Sequence, residues 1–394
     1  MKLLILSFYF QPDLCAGSFR TTALVDALRQ KLEIDDTIEI ITTMPNRYKS
    51  LRNPAYSFEK HENIIIRRIP MPDHEGGFID QGFAFWEYWK GVWKFTENQH
   101  YDLIYATSAR LFTAFLGARI SKKKRVKLYL DIRDILSDTV RDIIKNSILK
   151  SLLLPIIHRI EKYTIQSAIH LNLVSAGFND SFIDYTGKVT FFTNGIDDTF
   201  VENNFEKSSN NEPKIITYAG NIGEGQGLEK IIPKAAKKLK GKYVFNIIGD
   251  GSTKKKLLRK LADLQIDNVN IISPINRDEL IKYYQETDFL FLHLNNYEAF
   301  KKVLPSKIFE YGAIGKPILA GVDGYAREFV KEHLEDVLIF EPSNVEEFIE
   351  VLEKYEPQII LRKEFVTKFS REAIFDKMTD SILDLIPLRK MQPI

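Results

Sequence analysis

The stretch Pro305-Ser306-Lys307-Ile308-Phe309-Glu310-Tyr311-Gly312-Ala313-Ile314-Gly315-Lys316-Pro317 decides how this chain is read. It places a lysine and a glutamate three residues apart, on a short helix expected to begin where a strand ends. Residues i and i+3 share a helix face. A helix N-terminus attracts phosphate through free N–H groups and the macrodipole. Lys307 there suits a diphosphate, and Glu310 one turn deeper suits ribose hydroxyls. The bland alternative is an ordinary surface ion pair. Ile308, Phe309, Gly312 and Ala313 form the face expected to pack on a sheet. Pro305 fits an early helical position, where a missing N–H costs little.

Two glycine-bearing turns lie upstream. Gly220-Asn221-Ile222-Gly223-Glu224-Gly225-Gln226-Gly227 follows an apolar run and precedes a helical pattern. Its glycines let the backbone approach a ligand closely. It does not keep the G-x-G-x-x-G register, and no acidic residue follows a second strand, so a nicotinamide site is disfavoured. Gly249-Asp250-Gly251-Ser252 is the second turn. Asp250 or Ser252 is expected to cap a helix starting near Thr253. Ligands gather at the carboxyl ends of parallel strands, so three such turns at one edge favour a ligand site.

The turns sit in a wider alternation. Short apolar runs occur at 3–10, 38–43, 64–69, 103–106, 126–132, 171–174 and 189–192. They continue at 214–219, 243–248, 269–272, 289–294, 317–320 and 337–340. Amphipathic segments such as 20–32, 111–120 and 148–168 separate them. This pattern means α/β, with parallel sheets covered on both faces by helices. The runs are too many for one comfortable sheet. The polar segment 197–212 reads as a linker between two doubly wound domains. The expected domains are 1–198 and 199–374, with a C-terminal helix over about 375–394 packing back on the first.

Composition narrows the function classes. The chain has 394 residues, 44% hydrophobic and 27% charged, an ordinary globular balance. Lys+Arg 55 against Asp+Glu 53 leaves +2, too near neutral to argue for nucleic acid. Clusters at Lys122–Arg125, Lys237–Lys242 and Lys254–Lys260 read first as solvated helix ends, and leave room for attraction to an anionic membrane surface. With one cysteine, Cys15, no internal disulfide forms, which fits a reducing compartment. No apolar run approaches a membrane span of roughly 20 residues. A cytoplasmic protein is expected, soluble or peripheral on the inner face of the plasma membrane.

In the first half, Pro12 to Ser18 joins the first strand to a helix expected near Phe19. Gly17 and Ser18 offer backbone N–H groups there, and Arg20 is expected to point a cation into the same mouth. Asp131-Ile132-Arg133-Asp134 ends another strand. A carboxylate here suits orienting or deprotonating an acceptor hydroxyl. The equal alternative is a buried Asp–Arg pair that fixes the loop. All three tryptophans fall between Phe83 and Phe95. Trp86, Trp89, Lys90 and Trp93 share a helical face, read first as core and second as a lipid-facing interface.

Taken in order and spacing, these pieces resemble a known family, the retaining GT-B glycosyltransferases of the GT4 type. The nearest pattern is the WbuB-like, L-fucosamine-transferase-type subgroup of bacterial surface polysaccharide enzymes. The resembling pieces also include Thr193-Asn194-Gly195-Ile196-Asp197. The resemblance implies two Rossmann-like domains facing a cleft, the second binding the donor and the first the acceptor. It implies retention at the anomeric carbon and no metal or other cofactor. On the donor it implies contacts from Gly17, Ser18, Gly220, Asn221, Gln226, Gly249, Gly251, Ser306, Lys307 and Glu310. Arg20, Arg133 and Asp134 would face the acceptor, with Asp134 and Lys307 carrying the chemistry. Asn221 and Gln226 stand where many relatives carry an arginine and a lysine. Lys302 stands where the broader family has a sugar-contacting glutamate, which the subgroup also tends to lack.

The function expected is sugar transfer from a nucleoside diphosphate donor, UDP for preference. The acceptor would be a lipid-linked saccharide of capsule or O-antigen synthesis. Two other readings compete. A GT-B-type UDP-sugar 2-epimerase would need a cleft histidine, for which His293 is the best placed. A non-catalytic nucleotide-sugar-binding protein is the third, motivated by Lys302.

Overall fold

In the computed structural model, the residues described are 1–46, 54–71, 78–108, 110–203, 205 and 212–386, with the side chains of 78–81 excepted. The chain divides into two compact units, Met1–Asn194 with Glu372–Ile394, and Gly195–Arg371.

The first unit holds strands β1 (Lys2–Leu6), β2 (Thr37–Thr43), β3 (Phe58–His61), β4 (Ile64–Ile69), β5 (Leu103–Thr107), β6 (Lys127–Ile132), β7 (His170–Leu173) and β8 (Lys188–Thr190). Its helices are α1 (Ala16–Lys31), α2 (Phe78–Thr96), α3 (Leu111–Lys124), α4 (Leu136–Ile143) and α5 (Ser147–Gln166). The sheet order is β3-β4-β2-β1-β5-β6-β7-β8, parallel except for β3. β1 and β5 are almost wholly buried because helices cover both faces, which explains their unbroken apolar runs. β3 has no such run. It is an exposed, antiparallel edge strand of sequence Phe-Glu-Lys-His, so periodicity gave no sign of it.

The second unit holds β9 (Lys214–Asn221), β10 (Tyr243–Asp250), β11 (Val269–Ile272), β12 (Phe289–His293), β13 (Ile318–Gly321) and β14 (Val337–Phe340). Its helices are α6 (Thr199–Glu202), α7 (Leu228–Lys238), α8 (Lys254–Asp263), α9 (Arg277–Glu286), α10 (Lys307–Ile314), α11 (Tyr325–His333), α12 (Val345–Glu353) and α13 (Lys363–Lys368). The order β11-β10-β9-β12-β13-β14 is that of a Rossmann sheet, reversing direction between β9 and β12. Ile216, Phe245, Phe289, Phe291 and Phe348 centre its core. The last helix, α14 (Arg371–Leu383), returns to the first unit, where Ser381 meets Tyr129. Residues 387–394 of the expected terminal helix lie outside the described residues.

Several expectations change here. Residues 197–203 are no free linker. Asp197 pairs with both Arg277 and Arg371, and Phe200 is buried, so this stretch is part of the second unit. The two arginines hold the Asp197 carboxyl down to about 2, overcoming its burial. The chain passes between units at 194/195, because Ile196 bonds with Phe369 and Arg371 inside the second. On α2 the core face is Ala84, Tyr88 and Val92. Trp89 and Trp93 are half-buried, Trp89 against Phe115 of α3, while Trp86 faces solvent.

Candidate functional site

The second unit gathers its candidate residues at the carboxyl ends of β10, β9 and β12, around the point where strand order reverses. β9 and β10 stay paired through Gly220–Gly249 and Asn221–Asp250. A Cβ on Gly249 would overlap the Gly220 carbonyl, so this closest approach requires glycine. Asn221 Nδ2 then donates to Gln226 Oε1 at 2.9 Å, closing the following loop on itself. Gly227 caps α7 in the left-handed region, at φ 56°.

β12 locks this loop from beneath. Asn295 N and Nδ2 donate to the carbonyls of Gly225 (2.8 Å) and Glu224 (2.9 Å). Lys230 Nζ donates to Asn295 Oδ1 at 2.7 Å and lies over the Tyr297 ring. His293 is fully buried; its Nδ1–H donates to the Gln226 carbonyl at 2.5 Å, and Nε2 accepts from Ser343 N–H at 2.9 Å. Burial lowers its pKa to about 4, so the ring is neutral and held in one orientation. With both nitrogens occupied it is not the mobile acid or base that an epimerase would need. Sequence reasoning missed Asn295 altogether.

α10 brings Lys307 and Glu310 together as its spacing implied. Lys307 Nζ donates to Glu310 Oε1 at 2.6 Å. The buried Tyr284 hydroxyl of α9 donates to the same oxygen at 2.5 Å and lies 3.4 Å from Lys307 Nζ. Both partners therefore converge on Oε1, leaving Oε2 unclaimed among the described residues. Burial and the Glu310 charge raise the Tyr284 phenol well above its ordinary value, so it stays a donor. The Tyr311 hydroxyl accepts from Ala219 N–H at 3.3 Å, which ties α10 to the end of β9. Ser306 is the N-cap residue and makes no side-chain cap bond, so Pro305 precedes the helix instead of entering it.

The second turn also differs from expectation. Neither Asp250 nor Ser252 caps α8. Thr253 stands at the N-cap, while Asp250 Oδ1 accepts from Gly251 N–H at 2.8 Å. Gly251 fits tightly against the Ile222 carbonyl. The 3-10 turn Glu298–Lys302 carries Lys302 at its end.

In the first unit α1 begins at Ala16, one turn earlier than expected, with Cys15 as N-cap. Gly17 and Ser18 therefore lie in its first turn, where N–H groups lack intrahelical partners. The Arg133 guanidinium rests on Gly17, with Nη1 only 3.5 Å from where a Cβ would stand. That nitrogen is buried and has no hydrogen-bond partner among the described residues. A free guanidinium N–H beside a helix start is suited to an anion.

The earlier start of α1 turns Arg20 away from this mouth. Arg20 is buried, pairing Nε with Asp131 Oδ2 at 2.7 Å and Nη2 with Oδ1 at 2.8 Å. Its remaining donors reach the carbonyls of Thr193 and Phe192, each within 2.8 Å. Burial opposes the Asp131 charge, yet Arg20 and its neighbours hold the carboxyl below its ordinary value. Arg20 and Asp131 fix the β6 end internally, and at 2% exposure Arg20 is shut away from an acceptor.

Asp134, three residues on, is exposed at the rim of a cavity of about 630 Å³ walled by Leu111, Ile132, Ser137, Glu161 and Tyr185. Surrounding protein pushes its carboxyl up to about 7, with Glu161 adding to the shift and Arg133 and Arg110 opposing it. Access to water offsets part of that push. Among the described residues, no cluster of His, Cys, Asp and Glu has the makings of a metal site.

Comparison with known proteins agrees with this geometry. Residues 200–369, nearly the whole second unit, match the family model "Glycosyl transferases group 1". Over 112 residues the chain is 31% identical to the putative colanic acid biosynthesis glycosyl transferase WcaI of Escherichia coli (strain K12). That alignment covers 28% of this chain and 27% of WcaI, so the chain spans about a quarter of that relative's length. Among solved structures, Anabaena HepE in complex with UDP and glucose aligns with TM-score 0.60 at 17% identity, covering 98% of this chain and 96% of HepE. WaaG, a glycosyltransferase involved in lipopolysaccharide biosynthesis, gives 0.61 at 14% identity, covering 98% and 97%. The trehalose-phosphate synthase of Burkholderia xenovorans gives 0.68 at 11%, covering 97% and 100%. These likenesses establish the fold, which is GT-B.

Proposed function

We propose that this protein is a retaining glycosyltransferase that moves a sugar from a UDP donor to a lipid-linked saccharide acceptor in bacterial surface polysaccharide synthesis. The observation that carries the reading is Glu310. Lys307 and Tyr284 pin one of its oxygens and leave the other for ribose hydroxyls, beside backbone turns too tight for any side chain. The group 1 match over the same unit supports it.

In this reading Ser306, Lys307 and the backbone of Gly220, Gly249 and Gly251 hold the nucleotide, and Asn221 and Gln226 shape the loop. Gly17, Ser18 and Arg133 take a phosphate oxygen. The acceptor oxygen attacks the anomeric carbon as its bond to the β-phosphate oxygen breaks on the same face. The acceptor proton passes to that leaving phosphate. Lys307 and the helix N-terminus stabilise the departing negative charge, without a metal. Asp134 orients the acceptor hydroxyl. The closer likeness to L-fucosamine-transferase-type enzymes belongs to the same proposal.

The test is nucleotide binding followed by transfer. A ligand at about 100 times its Kd stabilises the native state by about 2.7 kcal/mol. UDP should therefore raise Tm by several degrees, and NAD should not. UDP-sugar should turn over only with a saccharide acceptor added. A UDP-sugar isomerised without acceptor, or no response to any nucleotide, overturns the reading.

A further inference from the structure

The first unit carries an apolar overhang at the edge where its candidate site lies. Helices α2, α3 and α5 pack side by side on one face of the sheet. Phe85 meets Phe112 near their starts, Lys123 lies over Trp93 near their ends, and Phe115 and Lys122 both meet Tyr163. All three helices thus run the same way, beginning at the carboxyl edge of the strands. Leu111, the first residue of α3, packs level with Ile157 of α5. The ten residues of α5 before Ile157 therefore extend beyond the start of α3 by about 15 Å.

The inner side of that overhang packs on α4, through Leu153, Leu154 and Ile157 against Leu136 and Val140. Its outer side is covered by nothing described. Ile148, Leu149, Leu152 and Ile156 fall within one arc of the helix and are 46% to 73% exposed. No acidic residue occurs between Ser147 and Ile160, whereas Lys145, Arg159 and Lys162 are exposed around the stripe. At the same edge of the same layer, the first half of α2 exposes Phe83 and Trp86.

We propose that this edge docks on an anionic phospholipid surface, with α5 lying in the interface. The charge pattern selects that occupant. A protein partner for this stripe would meet four aliphatic side chains with no aromatic or arginine anchor inside it. A lipid interface asks for aliphatic insertion, flanking cations and nearby aromatic rings, all of which are here. Neither apolar burial nor charge alone holds firmly, and the two together do. The proposal deepens the functional reading by giving the lipid end of the acceptor a surface next to Asp134.

The test is co-sedimentation of the intact chain with vesicles of phosphatidylcholine containing about 30% phosphatidylglycerol, which requires neither donor nor acceptor. The wild type should bind, and less so as salt rises. Leu152→Asp with Ile156→Asp should lower binding by about tenfold or more. Ile34→Asp, at the opposite edge and 98% exposed, should leave it unchanged. All these positions are exposed, so Tm should not move. No binding by the wild type, or equal binding by the double variant, overturns the proposal. So does a dimer that the double variant splits without lipid, because a second copy would then be the occupant. Transfer to a short water-soluble acceptor, measured separately, should survive the double change. Its absence in the wild type would count against the glycosyltransferase reading and not against docking.

Discussion

Replacing Lys307 by alanine separates the two readings of the 305–317 stretch. As a plain ion pair with Glu310, with side chains 23% and 17% exposed, it is worth at most about 1 kcal/mol. For a domain of this size that lowers Tm by about 2–4 °C. Tyr284 still donates to Glu310 Oε1, so the carboxylate stays in place. If Lys307 instead stabilises the departing diphosphate, its charge counts mainly in the transition state. Loss of one such preorganised group costs about 10²–10³ in kcat, equivalent to about 2.7–4 kcal/mol. The assay is kcat at saturating UDP-sugar, with Tm measured alongside. Glu310→Gln is the partner variant: it keeps an acceptor for Tyr284 and should mainly raise the donor KM. A Lys307→Ala protein with kcat within about twofold of wild type and a small fall in Tm would refute the leaving-group role.

Asp134→Asn should lower kcat and remove a rising limb of the pH–rate profile above the ordinary carboxylate range, because the surrounding protein raises that carboxyl. The same raised pKa means the native state loses stability as pH rises from the ordinary carboxylate range toward the raised value, so Asp134→Asn should gain Tm relative to wild type at pH 8 and not at pH 4. Arg20→Met should cost about 3–5 kcal/mol by stranding the buried Asp131 charge, read as a large fall in denaturation midpoint; a changed acceptor KM with normal stability would contradict the buried pair. His293→Phe strands the Gln226 carbonyl and the Ser343 N–H, at about 1–3 kcal/mol each. The His293 pKa is depressed to about 4, so wild-type stability falls as pH drops from about 6.5 toward 4. That share of the acid sensitivity should be missing in the variant.

What could be read from sequence depended on range. Alternating runs marked nearly every buried strand, because a parallel strand covered on both faces needs apolar residues throughout. Lys307 and Glu310 were legible because i,i+3 geometry is local. Arg20 was misread because Ala16-Gly17-Ser18 looks like a loop. Once the helix starts at Ala16, Arg20 turns toward β6 and finds a carboxylate 111 positions away. Asp197 looked like linker for the same reason: its partners, Arg277 and Arg371, are 80 and 174 positions distant. Tyr284 and Asn295 lay within reach of no local rule, since each acts on a segment brought to it only by the sheet.

Those distant contacts also explain how charge is distributed at the proposed donor edge. Asn221 and Gln226 spend their side-chain amides on each other and bring no cation. Lys230 is held by Asn295 beneath the loop, and Lys254 bonds the Gly249 carbonyl. The turns therefore present backbone N–H groups on a scaffold stiffened by His293 and Asn295, while α10 adds the Lys307 ammonium. Stiff backbone donors lose nothing by reorganising when charge develops. Lys307, proposed to respond to that charge, sits beside the glutamate proposed to hold the ribose. In the proposed reaction one helix would couple nucleotide recognition to leaving-group stabilisation, and a variant that shifts α10 should lose both together.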